Sequence, residues 1–596
     1  MPHYTAPLRD MRFVMHDVLD VMSEFRAMPA HADLDVETID AVLEEGARFA
    51  TQVILPLNAI GDRDGCTISG DGVVTPPAGF KQAYWQFVEA GWPSLSCSTQ
   101  FGGQGLPVLL SNRVYEMFNA ANQSWLMYFG LTHSAYECLL EHGSDEQKRI
   151  YLPKMVSGHW SGTMCLTESH CGTDLGLLKT RAEANGDGSH ALTGSKIFIT
   201  SGEHDLSENI IHLVLARLPD APAGSRGISL FIVPKYIPDA DGNAGVRNTL
   251  RAGSLEHKMG IHGNGTCVMN FDGARGWLVG EPNKGLAAMF VMMNSSRLGV
   301  GMQSLGLAEI AYQNARDYAR DRLQGRSPRG PQQPDKPADA IIVHPDVRRM
   351  LLTCKAYTEG GRALTCFTAM QIDRELSHPD PVVRKQAEDL LALLIPVVKA
   401  FITDNAFETN NLALQVFGGH GYITEWGMEQ FVRDARISMI YEGTNGIQAL
   451  DLLGRKVLHD GGAKLRLFGA LVHEFVAAQT GKPEMAEFIN PLIALGEEVQ
   501  KITTEIAIKA MTDADEVGAA SVPYLRLIGH LVYAWMWARM ARAALDKINS
   551  PGDDFHKAKL ATARFYFQRL LPETATHLQS IRSGAATLMT IDAEGF

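Results

Sequence analysis

Between about residue 161 and Gly280 the chain changes texture, and no other feature constrains its fold as much. Glycine, threonine and β-branched residues replace the helical spacing found before and after. Ile210-Ile211-His212-Leu213-Val214-Leu215 and Ile228-Ser229-Leu230-Phe231-Ile232-Val233 are apolar runs of strand length. Arg181-Ala182-Glu183-Ala184-Asn185-Gly186-Asp187-Gly188-Ser189 carries the turn chemistry of a hairpin between two further strands. No helices alternate with these segments. A compact, barrel-like β domain is therefore expected, not a doubly wound parallel sheet.

Helical patterns flank it. From Asp35, the residues Ile39, Val42, Leu43, Ala47 and Phe49 recur at three to four residue spacing. The stretch Pro93 to Pro107 reads as a loop. Amphipathic patterns return from Leu286 to about Asp321, then from His344 to Arg374 and from Pro381 to about Val416. Gly325 to Pro337 is rich in Gly, Pro and Gln and reads as an exposed loop. The last region carries Tyr524, Leu527, Ile528, Leu531 and Trp535 on one stripe and is nearly neutral, which suits docking on the rest of the chain. Its window Leu527 to Leu545 is the most membrane-like stretch. His530, Arg539 and its helical periodicity argue for a buried helix and against an integral membrane span.

The expected fold is mixed α and β, mainly α. Its divisions are an arm (1–35), an N-terminal helical domain (36–160), a central β domain (161–285), a helical bundle (286–460) and an additional helical domain (461–596). A net charge of −13 speaks against nucleic acid or an anionic membrane as main partner. The eight cysteines form no Cys-x-x-Cys pair, so reduced thiols in the cytoplasm are expected, not a zinc ribbon. Residues 1–10 lack the apolar core of a signal peptide.

The chemistry concentrates in Ile440-Tyr441-Glu442-Gly443-Thr444-Asn445-Gly446-Ile447-Gln448, about twenty residues after the glycine turn Gln415-Val416-Phe417-Gly418-Gly419-His420-Gly421-Tyr422. A carboxylate followed by glycine leaves the backbone open to a close ligand. Thr444 and Asn445 then offer a hydroxyl and an amide to a polar cofactor. Other chemistries leave no trace. Gly-x-Ser-x-Gly, His-Glu-x-x-His and the phosphate-binding Gly-x-x-x-x-Gly-Lys-Ser/Thr are absent, and Gly299-Val300-Gly301 lacks the spacing and preceding strand of a dinucleotide site. No metal site is expected.

The segment Gln415 to Gln448 resembles the flavin- and base-bearing segment of the acyl-CoA dehydrogenases. The chain as a whole resembles their long subgroup, which includes 3-methylmercaptopropionyl-CoA and large bacterial fatty acyl-CoA dehydrogenases. The resemblance implies that Glu442 is the catalytic base and that flavin adenine dinucleotide (FAD) is the cofactor. Met164-Cys165-Leu166-Thr167-Glu168-Ser169-His170-Cys171-Gly172-Thr173-Asp174 is similar to the family's Thr-Glu-Pro-x-Ala-Gly-Ser-Asp signature. It departs at Ser169, Cys171 and Thr173. Leu166 and Thr167 are implied at the polar edge of the flavin, and Thr173 at its pyrophosphate or at the substrate. Lys196-Ile197-Phe198-Ile199-Thr200-Ser201-Gly202 resembles Trp-Ile-Thr-Asn-Gly, with Phe198 covering a ring face and Thr200 near the flavin's reactive nitrogen. Alone, Phe198 reads as a core residue.

Asn294-Ser295-Ser296-Arg297 resembles Asp-x-x-Arg, which grips the coenzyme A end of the substrate; Arg297 matches and Asn294 keeps only an amide. Tyr318-Ala319-Arg320-Asp321-Arg322-Leu323-Gln324-Gly325 resembles the segment that reaches a neighbouring subunit's FAD. There Arg322 would meet the pyrophosphate, with Gln415, Gly418 and Gly419 on the same cofactor. Tyr441 and Gly443 would border the substrate, and Met127, Tyr128 and Phe129 the acyl pocket.

The implied reaction is α,β-dehydrogenation of an acyl-CoA thioester to a trans-2-enoyl-CoA. Glu442 takes the α-proton, the flavin takes the β-hydride, and electrons leave to an electron-transfer flavoprotein. A desolvated Glu442 would carry a raised pKa. The resemblance also implies a homodimer, with the added domain covering the surface through which shorter relatives form tetramers. The alternatives are an acyl-CoA oxidase that uses oxygen and a non-catalytic, DNA-associated flavoprotein of the same fold. The acyl group itself is not legible.

Overall fold

The computed structural model describes residues 2–549 and 553–596. The chain divides into two compact units, one of residues 45–107 and 117–299, the other of residues 1–44, 108–116 and 300–596.

The first unit is built on a seven-stranded sheet. Its strands are β1 (Trp160–Cys165), β2 (Arg181–Ala184), β3 (His190–Thr200), β4 (Asn209–Ala216), β5 (Ser229–Pro234), β6 (Leu250–Leu255) and β7 (Thr266–Val279). The order is β1-β4-β5-β7-β3-β2, with β6 paired to β7. Only β1 and β4 run parallel. β7 turns the corner. Thr266 to Gly276 pairs with β3, while Trp277 to Val279 pairs with β5. Its register shifts between Asp272 and Ala274, as a bulge at a bend requires. The sheet then curls back on itself: Ile197 N–H donates to Thr167 C=O at 2.9 Å, and Ala182 N–H to Arg217 C=O at 2.8 Å. This is the barrel-like wrap expected of the region.

β4 and β5 are buried along their whole length and mostly apolar, because both faces are covered. Leu213, Leu215, Leu230 and Ile232 face a core shared with Leu139, Leu152, Met155 and Met289. Val214, Ala216, Phe231 and Val233 face a second core with Leu192, Met269 and Phe271. The expected hairpin closes as Asn185 N–H donates to Ser189 C=O at 2.9 Å, with Gly186 and Gly188 at φ +84° and +85°.

The second unit is helical. Its long helices include Pro345–Ser377, Pro381–Phe417 and Asp515–Lys547. The stripe Tyr524, Leu527, Ile528, Leu531 and Trp535 is buried, as docking on the same chain requires. Close approach depends on missing side chains. A Cβ on Gly529 would meet the Phe401 ring at 2.3 Å, one on Gly360 the Tyr533 ring at 2.7 Å, and one on Gly301 the Val398 side chain at 2.7 Å. Among the described residues, the stretch with the composition and length of a membrane span is Pro381–Tyr422, not Leu527 to Leu545, and 78% of its apolar window is buried.

Residues 2–35 are largely helical and fold into this unit. Phe13 packs edge-on against Phe555 at 5.4 Å, Arg539 donates to Val18 C=O at 2.8 Å, and Arg374 pairs with Glu24 at 2.6 Å. At the centre lies a buried ionic network. Arg362 pairs with Asp10 at 2.5 Å, Glu116 at 2.7 Å and Glu309 at 2.6 Å. Arg113 pairs with Glu116 at 2.5 Å, and Lys559 bonds both Asp10 and Glu359. Lys355 also pairs with Glu359. Four carboxylates (Asp10, Glu116, Glu309, Glu359) thus meet four cations (Arg113, Lys355, Arg362, Lys559). Charge balance lets so polar a cluster be buried. It ties the arm and the last helical region to the Pro345–Ser377 helix.

Candidate active site

Glu442 sits on a strained corner. The turn Ile437–Met439 ends as Ile440 N–H donates to Ile437 C=O at 2.8 Å. Glu442 then takes φ +55° and Gly443 φ +85°. The left-handed region costs a non-glycine residue roughly 1–3 kcal/mol, so the surroundings must hold it there. Thr444 Oγ1 accepts from Ile447 N–H at 3.3 Å and caps the helix Asn445–Leu450. The Tyr441 hydroxyl donates to Gln303 Oε1 at 2.5 Å. Glu442 itself is half-buried.

Asn445 was expected to offer its amide to a cofactor. Its amide is instead engaged within the fold. Oδ1 accepts from Lys399 Nζ at 2.8 Å, and Nδ2 donates to Asp404 Oδ1 at 2.6 Å and Thr403 Oγ1 at 2.9 Å. Asn445 fastens the loop; Thr444, its hydroxyl already accepting, does the same.

In the other unit Leu166, Thr167 and Thr173 lie on the loop that follows β1. Ser169 replaces a rigid proline there, and the structure supplies rigidity differently. Glu168 and Cys171 exchange backbone hydrogen bonds of 2.9 and 3.0 Å. The Glu168 carboxylate accepts from Lys179 N–H at 2.8 Å, Thr180 N–H at 2.9 Å and Lys196 Nζ at 2.9 Å. Lys196 Nζ also donates to Leu166 C=O at 2.9 Å. Thr173 is exposed. Burial pushes the Glu168 carboxyl up, but the Lys196 ammonium and these hydrogen bonds outweigh it, and its pKa falls to about 2. Glu168 is therefore no reserve base. Its contribution to stability is complete above the ordinary carboxylate pKa and is lost as pH falls through about 2. Glu168→Gln should cost about 3 kcal/mol at neutral pH, because it leaves the buried Lys196 charge unpaired. Denaturation curves from pH 7 downward should show the gap to the parent closing in acid; a constant gap would refute the pairing argument.

Phe198 on β3 has φ +60° and is 60% exposed, although most of the chain's large apolar side chains are buried. A strained backbone and an uncovered ring are two separate costs at one residue. Thr200, two residues on, is half-buried. Arg297, expected at the coenzyme A end of the substrate, is buried, and its Nη1 donates to Asn294 Oδ1 at 3.1 Å.

Arg322, Gln415, Gly418 and Gly419 are exposed, and Arg322 makes no ion pair among the described residues. Their two segments meet. Tyr318 stacks on Phe417 at 4.1 Å and 19°, and its hydroxyl bonds His420 Nδ1 at 2.9 Å. His420 in turn stacks on Trp426 at 4.6 Å. Sequence reasoning missed this aromatic pile, although Tyr318, Phe417 and His420 all lie in stretches singled out for one cofactor. Met127, Tyr128 and Phe129, expected at an acyl pocket, are buried; the Tyr128 hydroxyl donates to Gly263 C=O at 3.2 Å and accepts from Gly265 N–H at 3.1 Å, a structural bolt.

Four family models match the chain in order. They are the acyl-CoA dehydrogenase N-terminal domain (residues 37–159), middle domain (163–274) and C-terminal domain (283–458), and the acetyl-CoA dehydrogenase C-terminal like domain (468–592). The 3-methylmercaptopropionyl-CoA dehydrogenase of Ruegeria pomeroyi is 43% identical over 98% of this chain and 99% of its own. The broad-specificity linear acyl-CoA dehydrogenase FadE5 of Mycobacterium tuberculosis is 34% identical over 100% of both. Among solved structures, an acyl-CoA dehydrogenase complexed with FAD from Bacillus anthracis superposes with a TM-score of 0.73 at 21% identity, covering 94% of this chain and 90% of that one.

Proposed function

Because the chain belongs to the acyl-CoA dehydrogenase family, we propose that it desaturates an acyl-CoA thioester between its α and β carbons, with Glu442 as the base. The observation that carries the reading is the Tyr441-Glu442-Gly443-Thr444 corner, where a carboxylate is held in a left-handed conformation with glycine directly after it. Glu442 takes the α-proton on a carboxylate oxygen. Its backbone N–H, presented by the same strained turn, donates to the thioester carbonyl, on which charge grows as the proton leaves. Arg297 grips the coenzyme A end, and Tyr441 and Gly443 border the reacting carbons.

FAD, when bound, supplies the acceptor for the β-hydride. The residues of the first unit fit its flavin ring, with Phe198 offering an uncovered ring and Leu166, Thr167, Thr173 and Thr200 offering polar groups; separately, in the second unit, Arg322, Gln415, Gly418 and Gly419 are exposed and suit a pyrophosphate. The purified protein should carry non-covalent FAD, seen in its absorption spectrum and released on denaturation. A folded sample that takes up no flavin would refute the reading. Arg322, Gln415, Gly418 and Gly419 would serve the FAD of a second copy, so light scattering should give a homodimer.

The likeness to the Ruegeria pomeroyi enzyme favours 3-methylthiopropionyl-CoA as substrate, against linear acyl-CoAs. A ferrocenium assay across chain lengths decides between them. Repeating it with an electron-transfer flavoprotein and with oxygen separates a dehydrogenase from an oxidase. The expected acceptor is the flavoprotein.

A further inference from the structure

The helix that begins at Asn445 anchors the Glu442 corner, and its turn Asn445–Leu450 runs on without a break into the π-helical segment Asp451–Leu458. Its start is held by the Thr444 cap and by the Asn445 side chain, fixed between Lys399 and Asp404. Asp404 is half-buried and faces Lys399 and Arg436 as well as Arg526 of the last helical region, which lies 3.8 Å from its carboxylate with Nη2 on the neighbouring Asn405 Oδ1 at 3.3 Å. Arg526 is itself oriented by Glu573, which accepts from Nε at 3.0 Å and from Nη2 at 2.8 Å. His577 Nε2 lies 2.9 Å and His530 Nε2 3.5 Å from the Glu573 carboxylate. His530, Glu573 and His577 have the composition of a metal site, but the Arg526 guanidinium already occupies the carboxylate with its own charge. The cluster is built to aim an arginine.

We propose that Asp404 and Arg526 are positioning residues for the loop that carries Glu442, so that the helical region after residue 460 keeps the base in its left-handed conformation. The relay runs Glu573, Arg526, Asp404, Asn445 and reaches the loop three residues after Glu442. The Glu573–Arg526 and Asp404–Asn445 links are charge-assisted hydrogen bonds, which give direction as well as energy, while Arg526 and Asp404 meet as an ion pair at 3.8 Å. The inference rests on reading Glu442 as the base.

The test compares Arg526→Met, Arg526→Lys and Asp404→Asn in the full-length, flavin-loaded protein. Arg526→Met should slow flavin reduction at saturating acyl-CoA about tenfold while the Kd of a product-like enoyl-CoA moves less than about threefold, an effect on the reacting state and not on binding. Deuterium uptake should rise in the peptide covering residues 440–450 and stay unchanged in the sheet. Arg526→Lys keeps the charge without the fork and should fall between parent and Arg526→Met. If Arg526→Met does not fold, Asp404→Asn, nearly isosteric and still able to accept from Asn445, should reproduce both changes. Reduction within twofold of the parent, or unchanged uptake at 440–450, overturns the relay. Normal reduction in Glu442→Gln would instead sink the base, and the uptake result would still judge the relay.

Discussion

Glu442→Gln should bind flavin and acyl-CoA as the parent does and fail to bleach the flavin when substrate is added anaerobically. Gln matches Glu in size, so the corner at φ +55° and the backbone N–H proposed to meet the thioester survive the change. What disappears is basicity. The α-C–H of a thioester is a very weak acid, and a neutral amide does not accept its proton at useful rates. General-base catalysis contributes ~10²–10⁴-fold, and because proton removal is coupled to loss of the β-hydride, the upper end of that range is expected. Stopped-flow reduction at saturating substrate measures it, with enoyl-CoA titration as the binding control. The glutamate of the flavin-signature loop cannot substitute. Glu168 is locked to Lys196 and, at a pKa of about 2, is far too weak a base. Rapid bleaching in Glu442→Gln would therefore refute both the assignment and the family mechanism for this chain.

What could be read from the sequence was set by local pattern. The hairpin at Arg181 to Ser189 and the helices beginning near Leu286 and Pro381 stand where periodicity and turn residues put them. So does the buried stripe from Tyr524 to Trp535. The strain at Glu442 and Phe198 was not legible, because neither residue type announces a positive φ. Nor was the fate of Asn445. Its partners Lys399, Thr403 and Asp404 lie more than forty residues earlier on a helix that reads as apolar packing. The same limit hid the stacking of Tyr318 on Phe417 and the docking of the arm. Periodicity reports which face of an element is buried; it does not report which distant polar group meets it there.

Arg362 shows that limit at its most costly. In the sequence it is one charge among several on a long helix, yet it is buried with three carboxylates around it. Arg362→Met should destabilise the second unit by about 3–5 kcal/mol, the cost of leaving buried charges unpaired. The effect should depend on pH with a definite sign. In the parent, burial pushes Asp10 up, but Lys559 and Arg362 hold it well below the ordinary carboxylate range, so its stabilising contribution is lost only in strong acid. Without Arg362, four carboxylates face three cations, and one of them must bind a proton as its pKa rises. The variant should therefore lose stability as pH rises through that raised value and regain it as pH falls from about 8 to about 5. Urea unfolding followed by tryptophan emission across that range would show the two midpoints converging in acid. A gap that stays constant with pH would mean that Arg362 acts by packing alone. Arg362→Lys should recover only part of the loss, since an ammonium cannot span Asp10, Glu116 and Glu309 as the planar guanidinium does.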